Sequence, residues 1–178
     1  MTSAVAPAAP AAAAPAAAAA NVLEMDEMWT FVGRKKNKVW LWLAVERATR
    51  QIVAWTLGCR GEATCQQLWA TLPAAYQHNT WYFTAEWRAY GGVLPAGRHS
   101  SSPKGSGEAS IVEAINCSLR QRFGVLMRKA CSFSKSLLMH TARIKIVIDN
   151  HNKTITGRYP IASASKLGGT FIRCPTLA

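Results

Sequence analysis

The sequence predicts an α/β fold with a single mixed sheet flanked by helices. Three apolar, β-rich runs follow one another between residues 22 and 58 and are joined by short turns, which predicts an antiparallel meander. The spacing of apolar residues then becomes helical, and a further β-rich run returns at residues 80–84. A strand that returns after a helix can join the sheet in parallel. The 178 residues are enough for one domain with a buried core.

Each element of the first half follows from its local pattern. The strands end at turns that are rich in charged or turn-forming residues, and the first helix contains Pro73, which is expected to end it early. The predicted elements are strands at 22–32, 39–46 and 52–58, turns at 33–38 and 47–50, a helix at 62–76, a strand at 80–84 and a short helix beginning at 86.

The second half is predicted to be helical after a loop. Residues 91–109 are rich in Gly, Ser and Pro and hold at most one weak strand before Ser100. Helices are predicted at 110–130 and 135–150, the second with Leu138, Ala142 and Ile146 on one side. The domain division is therefore an Ala/Pro-rich disordered extension at 1–20, one domain at 21–152 and an irregular tail at 153–178.

Charge and composition restrict the classes of function. The formal net charge of +12 predicts a polyanionic partner, above all nucleic acid, although a merely solvated basic surface is the alternative. The cysteine count is five, with no Cys-x-x-Cys spacing, which favours reduced thiols and argues against a zinc site. No segment is apolar enough to cross a bilayer and no signal peptide is evident, so the chain is expected in the cytoplasm without a membrane partner.

Two acids stand out as candidate metal ligands. Asp26 lies in the middle of an apolar strand, where a carboxylate is costly unless it is paired or binds a cation. On that strand Asp26 and Glu24 share one face, and Glu27 points to the other. Glu113 lies in the first turn of the predicted 110–130 helix, on the stripe of Asn116 and Arg120. The alternatives are a solvated strand-edge acid at Asp26 and an ordinary helix-dipole acid at Glu113.

The blocks that contain these acids resemble transposases of the insertion-sequence-one family. The resemblance runs over residues 21–152. The block around Asp26 and the block around Glu113 identify the family only when both are considered together. It is carried by Glu24–Glu27 with Val32-Gly33, by Tyr82–Thr84 with Trp87–Tyr90, by Ile111–Glu113 with Asn116 and Leu119–Arg122, by Ser132–Ser136 and by His151-Asn152.

This resemblance implies an RNase H-like fold, three catalytic acids of the DDE type, and Mg²⁺ or Mn²⁺ as cofactor. The first acid corresponds to Asp26 and the third to Glu113, both as metal ligands. The second acid should follow Thr84 directly, but Ala85 occupies that position. Glu86 comes one residue later, where it either replaces the missing catalytic acid or is a bystander in a degenerate copy.

Basic residues form two candidate DNA-contact clusters, one in the first turn and one along and beyond the 110–130 helix. Such contacts position DNA without reading its sequence. For the turn cluster a solvated hairpin is the alternative. The residues are Arg34, Lys35, Lys36 and Lys38 in the turn, and Arg120, Arg122, Arg128 and Lys129 along the helix.

The predicted function is that of a DNA transposase catalytic domain, which cleaves and transfers DNA strands with divalent metal. Its partners would be insertion-sequence ends and target DNA of the bacterial nucleoid, and a homo-oligomer is left open. The alternatives are a catalytically inactive DNA-binding remnant and another RNase H-like nuclease, against which the Ser132–Ser136 block argues. The family's zinc-binding and helix-turn-helix region is expected to be missing, and both chain ends read as foreign or out-of-frame sequence.

Overall fold

A twisted mixed sheet organises the chain and has helices on both faces. The structure is a computed structural model that describes residues 21–103, 106–127, 129, 131–158 and 168–171. The sheet order is β3-β2-β1-β4-β5, with a sixth strand, β6, on the outer side of β3. Its strands are β1 (Asn21–Phe31), β2 (Lys38–Glu46), β3 (Ile52–Gly58), β4 (Thr80–Ala85), β5 (His99–Ser102) and β6 (Gly168–Phe171).

The first three strands form the predicted antiparallel meander, and β4 and β5 extend it in parallel. This is an RNase H-like topology, as predicted, with β1 at the centre of the five-stranded sheet. The helices are α1 (Glu62–Thr71), α2 (Ala74–Gln77), α3 (Arg88–Gly91), α4 (Ser110–Arg122) and α5 (Leu137–Arg158), with 3₁₀ turns at Ala96–Arg98 and Gly124–Leu126.

Alternating side chains of the central strands supply two cores, one on each face of the sheet. On one face Leu41 and Leu43 of β2 pack with Val112 and Leu119 of α4 and with residues of α5. On the other face Trp42 of β2 lies in a cluster with residues of α1 and α3. β2 and β3 are almost wholly apolar, as expected for strands that are covered on both faces. An acid on β1 is therefore forced into the interior.

The ends of α1 and α4 differ from the sequence prediction. The helix predicted at 62–76 stops at Thr71, because Leu72 precedes Pro73 and is held in an extended conformation. The helix predicted at 110–130 ends at Arg122, and a 3₁₀ turn continues from Gly124. Val125 and Leu126 in that turn are buried, so the apolar pattern continues beyond the end of the helix.

The prediction for α5 was wrong in its apolar face and its length. Leu138 is 83% exposed and Ile146 is also exposed, whereas Ile144 and Ile148 are fully buried against the sheet. The sequence carries two apolar stripes, and only the contacts of the folded chain decide between them. The helix also continues to Arg158, past the predicted end at 150. Of the predicted irregular tail, Gly168–Phe171 pairs in parallel with β3; the extension at 1–20 lies outside the described residues.

The thiol prediction held only in part. Cys65, Cys117 and Cys131 are free, but Cys59 is disulfide-bonded. Among the residues described, no helix is both long and apolar enough to cross a membrane.

Candidate active site

Asp26 lies on the central strand, at the point where pairing with β4 ends. The parallel register runs as far as Met25 opposite Thr84, and Asp26 and Ala85 are the next residues on the two strands. Asp26 is only 6% exposed. The alternation predicted from the sequence is confirmed, because Glu24 and Asp26 both contact α4, whereas Glu27 contacts the opposite side. Asp26 is thus a buried acid facing α4.

Glu24 fixes the beginning of α4 from a distance of almost ninety residues in the chain. Its Oε2 accepts hydrogen bonds from the backbone N–H groups of Ile111 (2.8 Å) and Val112 (3.0 Å). Its Oε1 accepts one from Arg47 Nε at 2.7 Å. The local N-cap residue, Ala109, provides no side-chain bond. The carboxylate therefore does for α4 what a capping residue does for other helices, and its negative charge suits the helix N-terminus.

A second bond ties α4 directly to Asp26. Asn116 Nδ2 donates to Asp26 Oδ2 at 2.7 Å, and Asn116 is 7% exposed. The other amide atom, Oδ1, is buried and has no hydrogen-bond partner. Sequence reasoning placed Asn116 on the stripe of Glu113 but gave it no role. The spacing of three residues from Glu113 on one helix was the available indication.

Asp26 and Glu113 line the same cleft. The cleft has a volume of about 390 Å³. Its walls come from β1, from α4, and from Trp40 and Arg60 of neighbouring elements. The lining residues are Asp26, Glu27, Met28, Trp29, Trp40, Arg60, Glu113, Asn116, Cys117 and Arg120. Within the described part of the chain, no three His, Cys, Asp or Glu side chains are arranged as a ready metal site.

The end of β4 holds Ala85, and the acid after it turns away. Ala85 and Glu113 line a second, smaller pocket next to the cleft. Glu86 is exposed and lines neither cavity, while its backbone N–H donates to Ser102 O at 3.1 Å. The structure thus brings together Asp26, Glu113 and the Ala85 position, and leaves Glu86 outside.

Glu27 occupies the opposite side of β1 in a bonded network. Arg60 donates to its Oε1 from Nε (2.9 Å) and from Nη2 (2.7 Å), and the Tyr90 hydroxyl donates to Oε2 at 3.0 Å. Burial raises the pKa of Glu27; the bonds from Arg60 oppose this shift and the nearby Asp26 adds to it. Arg60 also stacks on Trp87, with 3.8 Å from its central carbon to the ring centroid. This network holds Arg60 at the rim of the cleft.

Of the predicted DNA-contact residues that the structure describes, all are exposed except Arg120, which is hydrogen-bonded within the protein. Arg34, Lys35, Lys36 and Lys38 are all exposed in the β1–β2 turn, as are Arg122 and Lys129. Gly33, at φ +68°, permits this turn, and its N–H donates to Ser134 O at 2.8 Å.

Arg120 is instead bonded within the protein, to the carbonyl oxygens of Leu126 (3.0 Å) and Trp29 (3.1 Å). Backbone carbonyl oxygens accept these hydrogen bonds. The guanidinium group of Arg120 is therefore a positive charge fixed at the cleft wall, and not a flexible side chain that reaches into solvent. Arg128 lies outside the described residues.

Comparison with known proteins identifies relatives of this chain. A model of the IS1 transposase family matches residues 20–154. The insertion element iso-IS1n protein InsB of Shigella dysenteriae is 35% identical over 133 residues, which is 74% of this chain and 97% of that protein. The insertion element IS1 protein InsB of Shigella flexneri is 37% identical over 117 residues, or 66% of this chain and 86% of that protein. The InsB protein of insertion element IS1 4 of Escherichia coli K12 is 35% identical over 117 residues, 66% of this chain and 67% of that protein. By fold and by sequence, the chain belongs to the IS1 transposase family.

Proposed function

We propose that residues 21–152 form the catalytic domain of a DNA transposase, which cleaves DNA strands and joins them to a target in the bacterial nucleoid. One observation carries this proposal: Asp26 on the central strand and Glu113 on α4 line one cleft of an RNase H-like sheet. Membership of the IS1 transposase family supports DNA transposition as the role.

The residues of the cleft suit a hard divalent cation such as Mg²⁺ or Mn²⁺. Asp26 and Glu113 supply carboxylate oxygens, the ligand type that these ions prefer. Bound there, divalent ions would activate the attacking oxygen and stabilise the leaving one. The protein's own part is to hold Asp26 still, through the sheet and Asn116, and to fix α4, through Glu24.

The basic turn provides a path for DNA into the cleft. Lys38 Nζ lies 5.4 Å from the centroid of the Trp29 ring, and Trp29 is part of the cleft wall. Exposed Arg34, Lys35 and Lys36 continue this surface away from the cleft. Phosphates bound along the turn would lead a strand toward Asp26.

Ala85 favours a second candidate, a DNA-binding protein with little or no catalytic activity. A site that lacks one carboxylate holds its ions less tightly, because each carboxylate both coordinates the cation and offsets its charge. Glu86 does not compensate by position, since it is exposed and outside both cavities. The chain would then keep the fold and the basic surface but lose the reaction.

Cleavage of DNA from the flanks of this gene, in Mn²⁺, distinguishes the two candidates. We expect weak cleavage by the unaltered protein and an increase of about tenfold or more in Ala85→Asp, because loss of even an outer-shell partner of a metal site lowers affinity or activity by about that much. Asp26→Asn in the Ala85→Asp background should abolish the gain, and Glu86→Gln should change nothing.

Two outcomes would go against these assignments. Robust cleavage by the unaltered protein that survives Asp26→Asn would mean that the active site lies elsewhere. Cleavage that is lost in Glu86→Gln would identify Glu86 as a substitute catalytic acid, despite its exposed position.

A further inference from the structure

We propose that the Oδ1 atom of Asn116 is a ligand of the cation held by Asp26 and Glu113, so that the cleft offers three protein oxygens although Ala85 contributes none. The inference rests on the proposed function, because it concerns the same cleft. It assigns the ligand role to an amide that has so far only a hydrogen-bonding contact.

The first support is an unmet hydrogen-bonding requirement. Asn116 is more than nine-tenths buried, and its Oδ1 has no hydrogen-bond donor within reach. A buried acceptor without a partner costs about 1–3 kcal/mol, and such groups are uncommon in folded proteins. A cation in the cleft would satisfy this oxygen.

The second support is orientation. Asn116 Nδ2 donates to Asp26 Oδ2 at 2.7 Å, which fixes the plane of the amide next to the acid. Glu113 precedes Asn116 by three residues on α4, so the two side chains lie on one face of the helix. All three residues line the cleft. A single ion beside Asp26 would therefore share one cleft with both side chains of α4.

The charges around the cleft are compatible with a cation. Two guanidinium groups, from Arg60 and Arg120, also line it. Arg60 is paired with Glu27 at 2.7 Å, and Arg120 is bonded to two backbone carbonyl oxygens. These hydrogen bonds direct both guanidinium groups towards acceptors within the protein. With Asp26 and Glu113 as carboxylates and Asn116 neutral, the ligand set suits the hard ions Mg²⁺ and Mn²⁺.

A change of metal preference tests the ligand role directly. We would compare Asn116→Cys with its parent in a background that carries both Cys117→Ser and Cys131→Ser, because both thiols are free and exposed and Cys117 lines the same cleft. A thiolate at position 116 should weaken Mn²⁺ binding by about tenfold or more. It should also give Cd²⁺ binding with the ultraviolet charge-transfer band of a Cd–thiolate bond. The parent should show neither change. Burial raises the pKa of its Cys65 thiol to about 12, so that thiol does not form the thiolate that binds Cd²⁺.

The controls separate failure of this inference from failure of the proposed function. Asn150→Ala, an exposed asparagine of α5, should leave Mn²⁺ affinity unchanged, and Asp26→Asn should abolish specific binding. If Asp26→Asn weakens binding but Asn116→Cys neither weakens Mn²⁺ nor gains Cd²⁺, the inference is overturned and the proposed site stands. If Asp26→Asn has no effect on Mn²⁺ binding, both are overturned.

A second variant covers the case in which Asn116→Cys does not fold. Asn116→Asp keeps an oxygen in the same place and adds a negative charge. It should bind Mn²⁺ at least as tightly as the unaltered protein, measured by calorimetry. Weaker binding in a folded Asn116→Asp variant would overturn the ligand role.

Discussion

Replacement of Glu24 should destabilise the protein far more than replacement of an ordinary acid. Glu24 is 1% exposed and accepts three hydrogen bonds, from Arg47 and from the backbone N–H groups of Ile111 and Val112. Arg47 is about one third exposed at its side chain, so water can replace much of that contact. Of the two N–H groups at the start of α4, that of Val112 is buried and has no such substitute, whereas that of Ile111 is half-buried and contributes less. At about 1–3 kcal/mol for each donor left unsatisfied, Glu24→Ala should cost roughly 2–5 kcal/mol.

Urea unfolding followed by circular dichroism measures this cost. Glu24→Gln keeps an acceptor oxygen and loses the charge, so it should fall between the unaltered protein and Glu24→Ala. The matched control is Glu62→Ala, an exposed acid in the first turn of α1, which should change stability by less than about 0.5 kcal/mol. If Glu24→Ala costs no more than Glu62→Ala, the account of how α4 is anchored is wrong.

Two further predictions concern pH and salt. Burial, with a smaller effect of Arg143, lowers the pKa of His140 to about 4. The unfolded chain therefore binds a proton that the native chain refuses between pH 6.5 and 4, and stability should fall by about 2 kcal/mol from near pH 7 to near pH 5. His140→Gln should flatten this dependence in urea unfolding; an unchanged slope would contradict it. For DNA, Lys35→Ala with Lys36→Ala should make the log–log slope of affinity against salt shallower by about 2, measured by fluorescence anisotropy. The control is Lys153→Ala, at an exposed lysine of α5. An equal change of slope in this variant would mean that the turn is not part of the DNA-binding surface.

The strands were predictable because their patterns are local. Alternation along β1 placed Glu24 and Asp26 on one face and Glu27 on the other, and the contacts of the structure agree. The run at 80–84 was also clear, since β-branched and aromatic residues stand between turn residues. The parallel pairing of β4 with β1 agrees with the order of the elements, because the first strand of a meander has one edge free to pair with a strand that returns after a helix.

The interior of the site was less predictable, because its contacts join distant parts of the chain. Nothing in the sequence near Glu24 indicates that its partners are the amides of Ile111 and Val112. The pairing of Asn116 with Asp26 likewise spans ninety residues. Helical spacing could place Asn116 beside Glu113, but not opposite a particular strand residue. A sequence thus predicts which face a side chain occupies more readily than what it meets there.

The position of β1 has a consequence for the stiffness of the two halves of the cleft. β1 is hydrogen-bonded to β2 on one side and to β4 on the other, so the backbone that carries Asp26 is braced along both edges. The described bonds between α4 and β1 are made by side chains, chiefly those of Glu24 and Asn116. Such side-chain contacts deform more easily than a strand that is hydrogen-bonded along both of its edges. We therefore expect any change in the spacing of Asp26 and Glu113 to come from a shift of α4, while the backbone of β1 stays in place.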